Sequence, residues 1–288
     1  MDHSSIAFLG FSEPISSITH LLTALFFLVF GLRLIWLSRG NALRVTGHSI
    51  YIFCATFLFS MSGVYHLLEK GTTSNYVLQI LDHAGIYLMI SGSFVPFHII
   101  LLRGLKRWLP LIMIWILAIT GVCLTSIFFK DMPEWLLLSF FISMGWMSIF
   151  TCYYIKKAER KTFTYLFLGG SLYTIGAIID FAGSFTILPQ VLGPHEVFHL
   201  FVSAAALTHF YAVYRISKFP ISDKLVVMVK QSPQSIKAYF TTENALFTAS
   251  TIELIKSNIK TWIENTYPQN LKPKEIKIKY FNEEKIKF

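Results

Sequence analysis

Gly193-Pro194-His195-Glu196-Val197-Phe198-His199-Leu200-Phe201-Val202 opens an apolar run that continues to residue 214. His195 and His199 are four residues apart, so on a helix they share a face, with roughly 6 Å between them. Two imidazoles so placed can bind one metal ion. The same letters spell His-Glu-x-x-His, the zinc-protease signature, in which the glutamate is the general base. The choice between these readings depends on where the run sits, and the flanking sequence decides that.

The run is one of seven. Residues 15–37, 45–68, 76–102, 108–129, 134–155, 163–185 and 192–214 are each mostly apolar. Each is long enough to cross a hydrocarbon core of about 30 Å as a helix. The chain is 54% hydrophobic and 14% charged, with a mean hydropathy of +0.55. A soluble domain carries about 25% charged residues, so a water-soluble helical core of this size would lack polar surface. The expected fold is therefore an all-α, seven-transmembrane helix bundle over 15–217. A short segment, 1–14, precedes it, and a soluble tail, 218–288, follows. No basic region precedes the first apolar run, so that run reads as a retained helix and not a cleaved leader. Cys54, Cys123 and Cys152 all lie in apolar segments and read as packing residues.

Charge in the connections is lopsided. The connections after the first, third and fifth runs hold Arg39 and Arg44; Arg103, Lys106 and Arg107; and Lys156, Lys157, Arg160 and Lys161. Arg215, Lys218 and Lys224 follow the seventh, whereas the opposite side holds little beyond Lys70 and Lys130. The positive-inside rule then puts the N-terminus outside and the C-terminus in the cytoplasm. The net charge of +9 suits this arrangement, and no nucleic-acid binding is inferred from it. Residues 219–288 hold eleven Lys and seven acidic residues. A helix is expected within 234–265, where Ile252, Ile255, Ile259 and Ile263 recur at helical spacing. Lys274–Tyr280 alternates like an exposed strand. A tail this rich in lysine suits a position near anionic headgroups. No oligomeric state can be read from the sequence.

Ionisable groups inside membrane helices are costly, about 2.5–3.5 kcal/mol for an Asp at the centre, so they mark function. The second run ends with Ser62-Gly63-Val64-Tyr65-His66, the third begins near Asp82-His83, the sixth holds Asp180, and the seventh opens with His195 and His199. Alternating helix direction brings His66, Asp82, His195 and His199 to one depth. Three imidazoles and a carboxylate have the composition of an open zinc site, which keeps one position for water. Ser62, four residues before His66, shares its helix face. His209 is fourteen residues after His195, roughly 21 Å along a helix, and is expected to make an interhelical hydrogen bond instead. His20, His48, His83 and His98 carry no spacing signal.

Several blocks then match a known family in order. They are Glu13-Pro14-Ile15-Ser16-Ser17-Ile18-Thr19-His20, Ser62-x-x-x-His66, Leu81-Asp82-His83-Ala84-Gly85-Ile86 with Gly92-Ser93-Phe94-Val95-Pro96, Gly169–Ala177, and His195-x-x-x-His199 with Ala204–Phe210. The chain resembles the hemolysin III group of the progestin and adipoQ receptor family, related more distantly to alkaline ceramidases. The resemblance covers about residues 13–214. It implies a seven-helix membrane protein with Zn2+ held by His66, His195 and His199, Asp82 acting on the water beside the metal, and Ser62 near that site. It also implies a membrane lipid as substrate or ligand. The expected function is hydrolysis of a lipid amide of the ceramide type. The alternatives are a zinc-containing receptor or sensor without catalysis, and a hemolysin. This chain departs from the family in four respects. Asp180 stands where an aromatic is usual. Serine (Ser16 or Ser17) replaces an asparagine before the Thr-His pair. The tail after 218 is additional, and adiponectin receptors place the N-terminus inside.

Overall fold

The computed structural model describes residues 12–183, 187–188, 191–217, 219, 221, 224–231, 236–240, 246–266 and 275–282. Lys218 and residues 1–11 lie outside these.

Eight helices build the apolar part: α1 (Pro14–Leu37), α2 (Ala42–Leu67), α3 (Thr73–Leu101), α4 (Leu105–Ile127), α5 (Glu134–Trp146), α6 (Ser148–Ala158), α7 (Arg160–Ala182) and α8 (Pro194–Ile216). Helices α5 and α6 follow one another across Met147, whose φ of −54° and ψ of −24° are helical, and together they supply the fifth span. The described residues thus contain seven helical spans long and apolar enough to cross a membrane, forming the expected seven-helix bundle.

Local chemistry sets the helix ends. The Asn41 side chain accepts from the Arg44 amide at 3.0 Å, and the Thr72 hydroxyl from the Asn75 amide at 3.2 Å. Each satisfies a donor that the first helical turn leaves unpaired. Pro194 lacks an amide hydrogen and stands at the first position of α8, where none is needed. The Glu196 carboxylate accepts from the Gly193 amide at 2.9 Å, a contact characteristic of a helix start. Gly183 closes α7 with φ +62°, a left-handed conformation that favours glycine.

The bundle is apolar outside as well as inside. Leu22, Leu25, Val29 and Leu32 of α1 and Ile112, Met113, Ile116 and Ile119 of α4 are exposed. An apolar surface of this extent marks a membrane interaction site. Helix α3 is the most enclosed of the spans, packed against α2 and α4 and touching α5, α6 and α8. Helices α2 and α3 approach closely at glycine. A Cβ on Gly85 would stand 3.0 Å from the Leu58 Cα, and one on Gly92 2.8 Å from the Cys54 side chain. Small residues at helix contacts allow such approach in membranes. Close approach of α2 fixes the azimuth of Ser62 and His66 further along the same helix.

Beyond α8 the chain stays tied to the bundle. The Arg44 and Arg107 guanidinium groups donate to the Phe219 and Ile221 carbonyls, each at 2.6 Å. The strands β1 (Lys224–Gln231), β2 (Ile236–Phe240), β3 (Leu246–Ala249) and β4 (Glu275–Asn282) then form one sheet of order β3-β2-β1-β4. Neighbours are antiparallel except β1 and β4, which run parallel with Val227 opposite Ile278. Helix α9 (Ile252–Thr266) packs on it. The helix expected within 234–265 is therefore shorter, and 236–240 and 246–249 are strands. The physical reason is alternation: Ile236 and Ala238 are buried with exposed Lys237 between them, a period of two that a helix cannot accommodate. Ile255, Ile259 and Ile263 do line one helical face, buried against Val227, Val229 and Ala238.

Candidate metal centre

His66 stands in the last turn of α2, and His195 and His199 in the first two turns of α8. Starting α8 at Pro194 puts both of its histidines on one face. Bundle packing brings that face against the end of α2. One ring nitrogen from each histidine lies within 4.8 Å of those of the others. Ring centroids are 4.5 Å apart for His66–His199 and His195–His199, and 5.1 Å for His66–His195.

The nitrogens are sorted into two sets. The Nε2 atoms of His195 and His199 face each other at 3.0 Å. The Nε2 atom of His66 is buried, with no hydrogen-bond partner among the described residues. The Nδ1 atoms are all engaged on the other side. His66 Nδ1 pairs with the Glu13 carboxylate, His195 Nδ1 with Asp180 Oδ1 at 3.1 Å, and His199 Nδ1 with His20 Nε2 at 2.8 Å. A ring whose Nδ1 carries the donated proton presents a lone pair at Nε2. The facing Nε2 atoms of His195 and His199, with the otherwise orphaned Nε2 of His66 in the same three-histidine group, fit a shared cation. Metal-binding histidines commonly donate their second N–H to a carboxylate or other acceptor, as the Glu13 and Asp180 arms do.

Glu13 is held from three directions. Its amide donates to the His66 carbonyl at 3.0 Å, its carboxylate pairs with His66, and Lys70 Nζ lies 2.8 Å from Oε1. Burial alone would raise the Glu13 carboxyl, but the His66 and Lys70 contacts prevail and hold it at about 2. His66 and His199 are buried, whereas the His195 side chain is 42% exposed. The cluster is therefore approached on the side of α7 and α8.

The other expected residues lie as follows. Ser62 is buried, and its hydroxyl is 2.8 Å from His20 Nδ1. Asp82 is half-buried on α3, within electrostatic reach of Tyr65, the residue before His66. Glu196 caps α8 through the Gly193 amide. His209 makes the expected interhelical hydrogen bond, its Nε2–H donating to the Leu166 carbonyl at 3.2 Å. The sequence places Glu13 and His20 in one block that matches the family but gives neither a role, and it gives Asp180 no partner. That block was the available signal.

The profile of the family described as Haemolysin-III related matches residues 8–210. The chain is 30% identical over 177 residues to "Hemolysin-3" of Bacillus cereus, covering 61% of this chain and 77% of that protein. It is 30% identical over 179 residues to "Hemolysin-3 homolog" of Bacillus subtilis, covering 61% and 79%. It is 27% identical over 228 residues to "Adiponectin receptor protein" of Drosophila melanogaster, covering 70% of this chain and 50% of that one.

Proposed function

The chain belongs to the Haemolysin-III related family and is a multi-pass membrane protein; on that premise we propose that it holds zinc at His66, His195 and His199 and hydrolyses a membrane lipid amide of the ceramide type. The observation that carries the metal reading is that one ring nitrogen from each of the three histidines lies within 4.8 Å of the others, while each ring is held at Nδ1 by a neighbour. All-nitrogen sites of three histidines suit zinc and leave a position for water.

Zinc, when bound, supplies a Lewis acid for a carbonyl oxygen and lowers the pKa of water toward about 7. The chain's own residues do the rest. Glu13 and Asp180 fix the orientation of His66 and His195. Asp82 serves as general base toward the attacking water, a role worth about 10²–10⁴-fold in rate. The half-exposed His195 side admits the substrate carbonyl, and the apolar bundle accommodates its acyl chain. Ser62 is proposed at the same centre, with its hydroxyl on the side of His20. The N-terminus is proposed to lie outside and the lysine-rich region after 218 in the cytoplasm, near anionic headgroups.

A second reading is a zinc-containing receptor or sensor without catalysis, favoured by the name of the Drosophila relative. Both readings meet one experiment: elemental analysis of detergent-purified protein beside His66→Ala and His199→Ala, with a lipidomic assay for cleaved amides. One zinc per chain, lost in both variants along with amide cleavage, is the expected result. Zinc without cleavage of any lipid amide selects the receptor reading. Zinc absent from the wild type overturns both.

A further inference from the structure

Two of the three histidines lean on carboxylates, and the third does not. His199 Nδ1 meets His20, with 2.8 Å to Nε2 and 3.1 Å to Nδ1. His20 is itself buried, 3% exposed, and its Nδ1 is 2.8 Å from the Ser62 hydroxyl. Both nitrogens of His20 are thus occupied on the far side of His199 from the converging Nε2 atoms. Its ring edge packs on Phe59, 5.0 Å between centroids at 89°. The ring is fixed by three helices, α1, α2 and α8.

The shorter of the two His199–His20 contacts, 2.8 Å to Nε2, sets the proton count. If His199 is to offer Nε2 to a metal, Nδ1 carries its proton and donates. His20 Nε2 then accepts, so the His20 proton sits on Nδ1 and is donated to Ser62 Oγ. Each ring carries one proton and no charge, as a fully buried pair of imidazoles requires.

We infer that His20 is a positioning residue of the metal centre, and that Ser62 acts through it: the relay Ser62–His20–His199 locks the tautomer and ring angle of His199. This rests on the reading of His66, His195 and His199 as metal ligands. It moves Ser62 from the reacting atoms to the support of a ligand.

The test uses the full chain in detergent, with zinc affinity from chelator competition and the visible spectrum of the cobalt(II) form. In His20→Ala, zinc still reaches one per chain at saturation, affinity falls about 10–100-fold, and the cobalt bands shift. His20→Gln recovers most of the affinity, because its amide oxygen accepts from Nδ1–H. Ser62→Ala weakens binding in the same direction by less. Wild-type affinity and spectrum in His20→Ala overturns the inference, as does loss of stoichiometric zinc in both His20 variants, which would make His20 a ligand. Should His20→Ala lose its helical circular dichroism, Ser62→Ala decides: an unchanged affinity and cobalt spectrum overturns the relay. Zinc that is absent from the wild type, or that persists in His199→Ala, overturns the metal reading itself and is distinguishable from all of these.

Discussion

The Nε2 atoms of His195 and His199 stand 3.0 Å apart, each with its other ring nitrogen already in a hydrogen bond. Two lone pairs at that distance repel unless a proton or a metal cation lies between them. The His66 Nε2 atom is buried and has no hydrogen-bond partner among the described residues, so the three rings together support the proposed metal centre.

The carboxylates behind the ligands should matter nearly as much as the ligands. Glu13→Gln and Asp180→Asn are each expected to lower zinc affinity about 10–100-fold while leaving the helical fold intact. Chelator competition on the purified variants checks this. Glu13 should show the larger effect, because its side chain is 12% exposed beside a buried His66, whereas Asp180 and His195 are one-third or more exposed.

Glu196 is expected to be dispensable for chemistry. Its carboxylate caps α8 at Gly193 and belongs to no ligand pair. Glu196→Gln should retain zinc and any amide cleavage. Glu196→Ala should cost about 0.5–2 kcal/mol, the usual effect of losing a helix cap, read as a lower unfolding temperature with zinc still bound. Loss of cleavage in Glu196→Gln with zinc retained would return the protease-like reading.

Asp82→Asn should separate binding from turnover. Zinc content stays at the wild-type level, and amide cleavage falls about 10²–10⁴-fold. Equal cleavage rates in Asp82→Asn and wild type would remove Asp82 from the mechanism.

Helix approach at Gly85 should be sensitive to one methyl group. A Cβ there would press on the Leu58 backbone at 3.0 Å. Gly85→Ala is expected to destabilise by about 1–3 kcal/mol, as overpacking does, and Gly85→Val by more. Thermal unfolding in detergent measures it.

The C-terminal sheet has its own core, so it should fail alone. Ile259 is buried between α9 and the sheet. Ile259→Ala should cost about 2–5 kcal/mol. Limited proteolysis would then cut after residue 221 and leave a zinc-retaining bundle. Parallel loss of zinc would instead couple the two parts.

Much of this protein is legible along the chain. Seven apolar runs specify seven membrane helices, because removing that much apolar surface from water outweighs any other local preference. Spacing of four residues put His195 and His199 on one face, and the isoleucines at 255, 259 and 263 marked α9. Strands β2 and β3 were missed because each is short and a sheet is made by partners, here β1 and then β2, that lie elsewhere in the sequence. The same applies to the centre. Glu13 lies 53 residues from His66 and His20 lies 179 from His199, so no periodicity connects them. What the sequence determined alone was which segments enter the membrane and which side chains it is costly to bury there. Which of those side chains meet, and through which nitrogen, was decided by the tertiary structure, because imidazole tautomers and ring angles are set by neighbours that only helix packing brings within 3 Å.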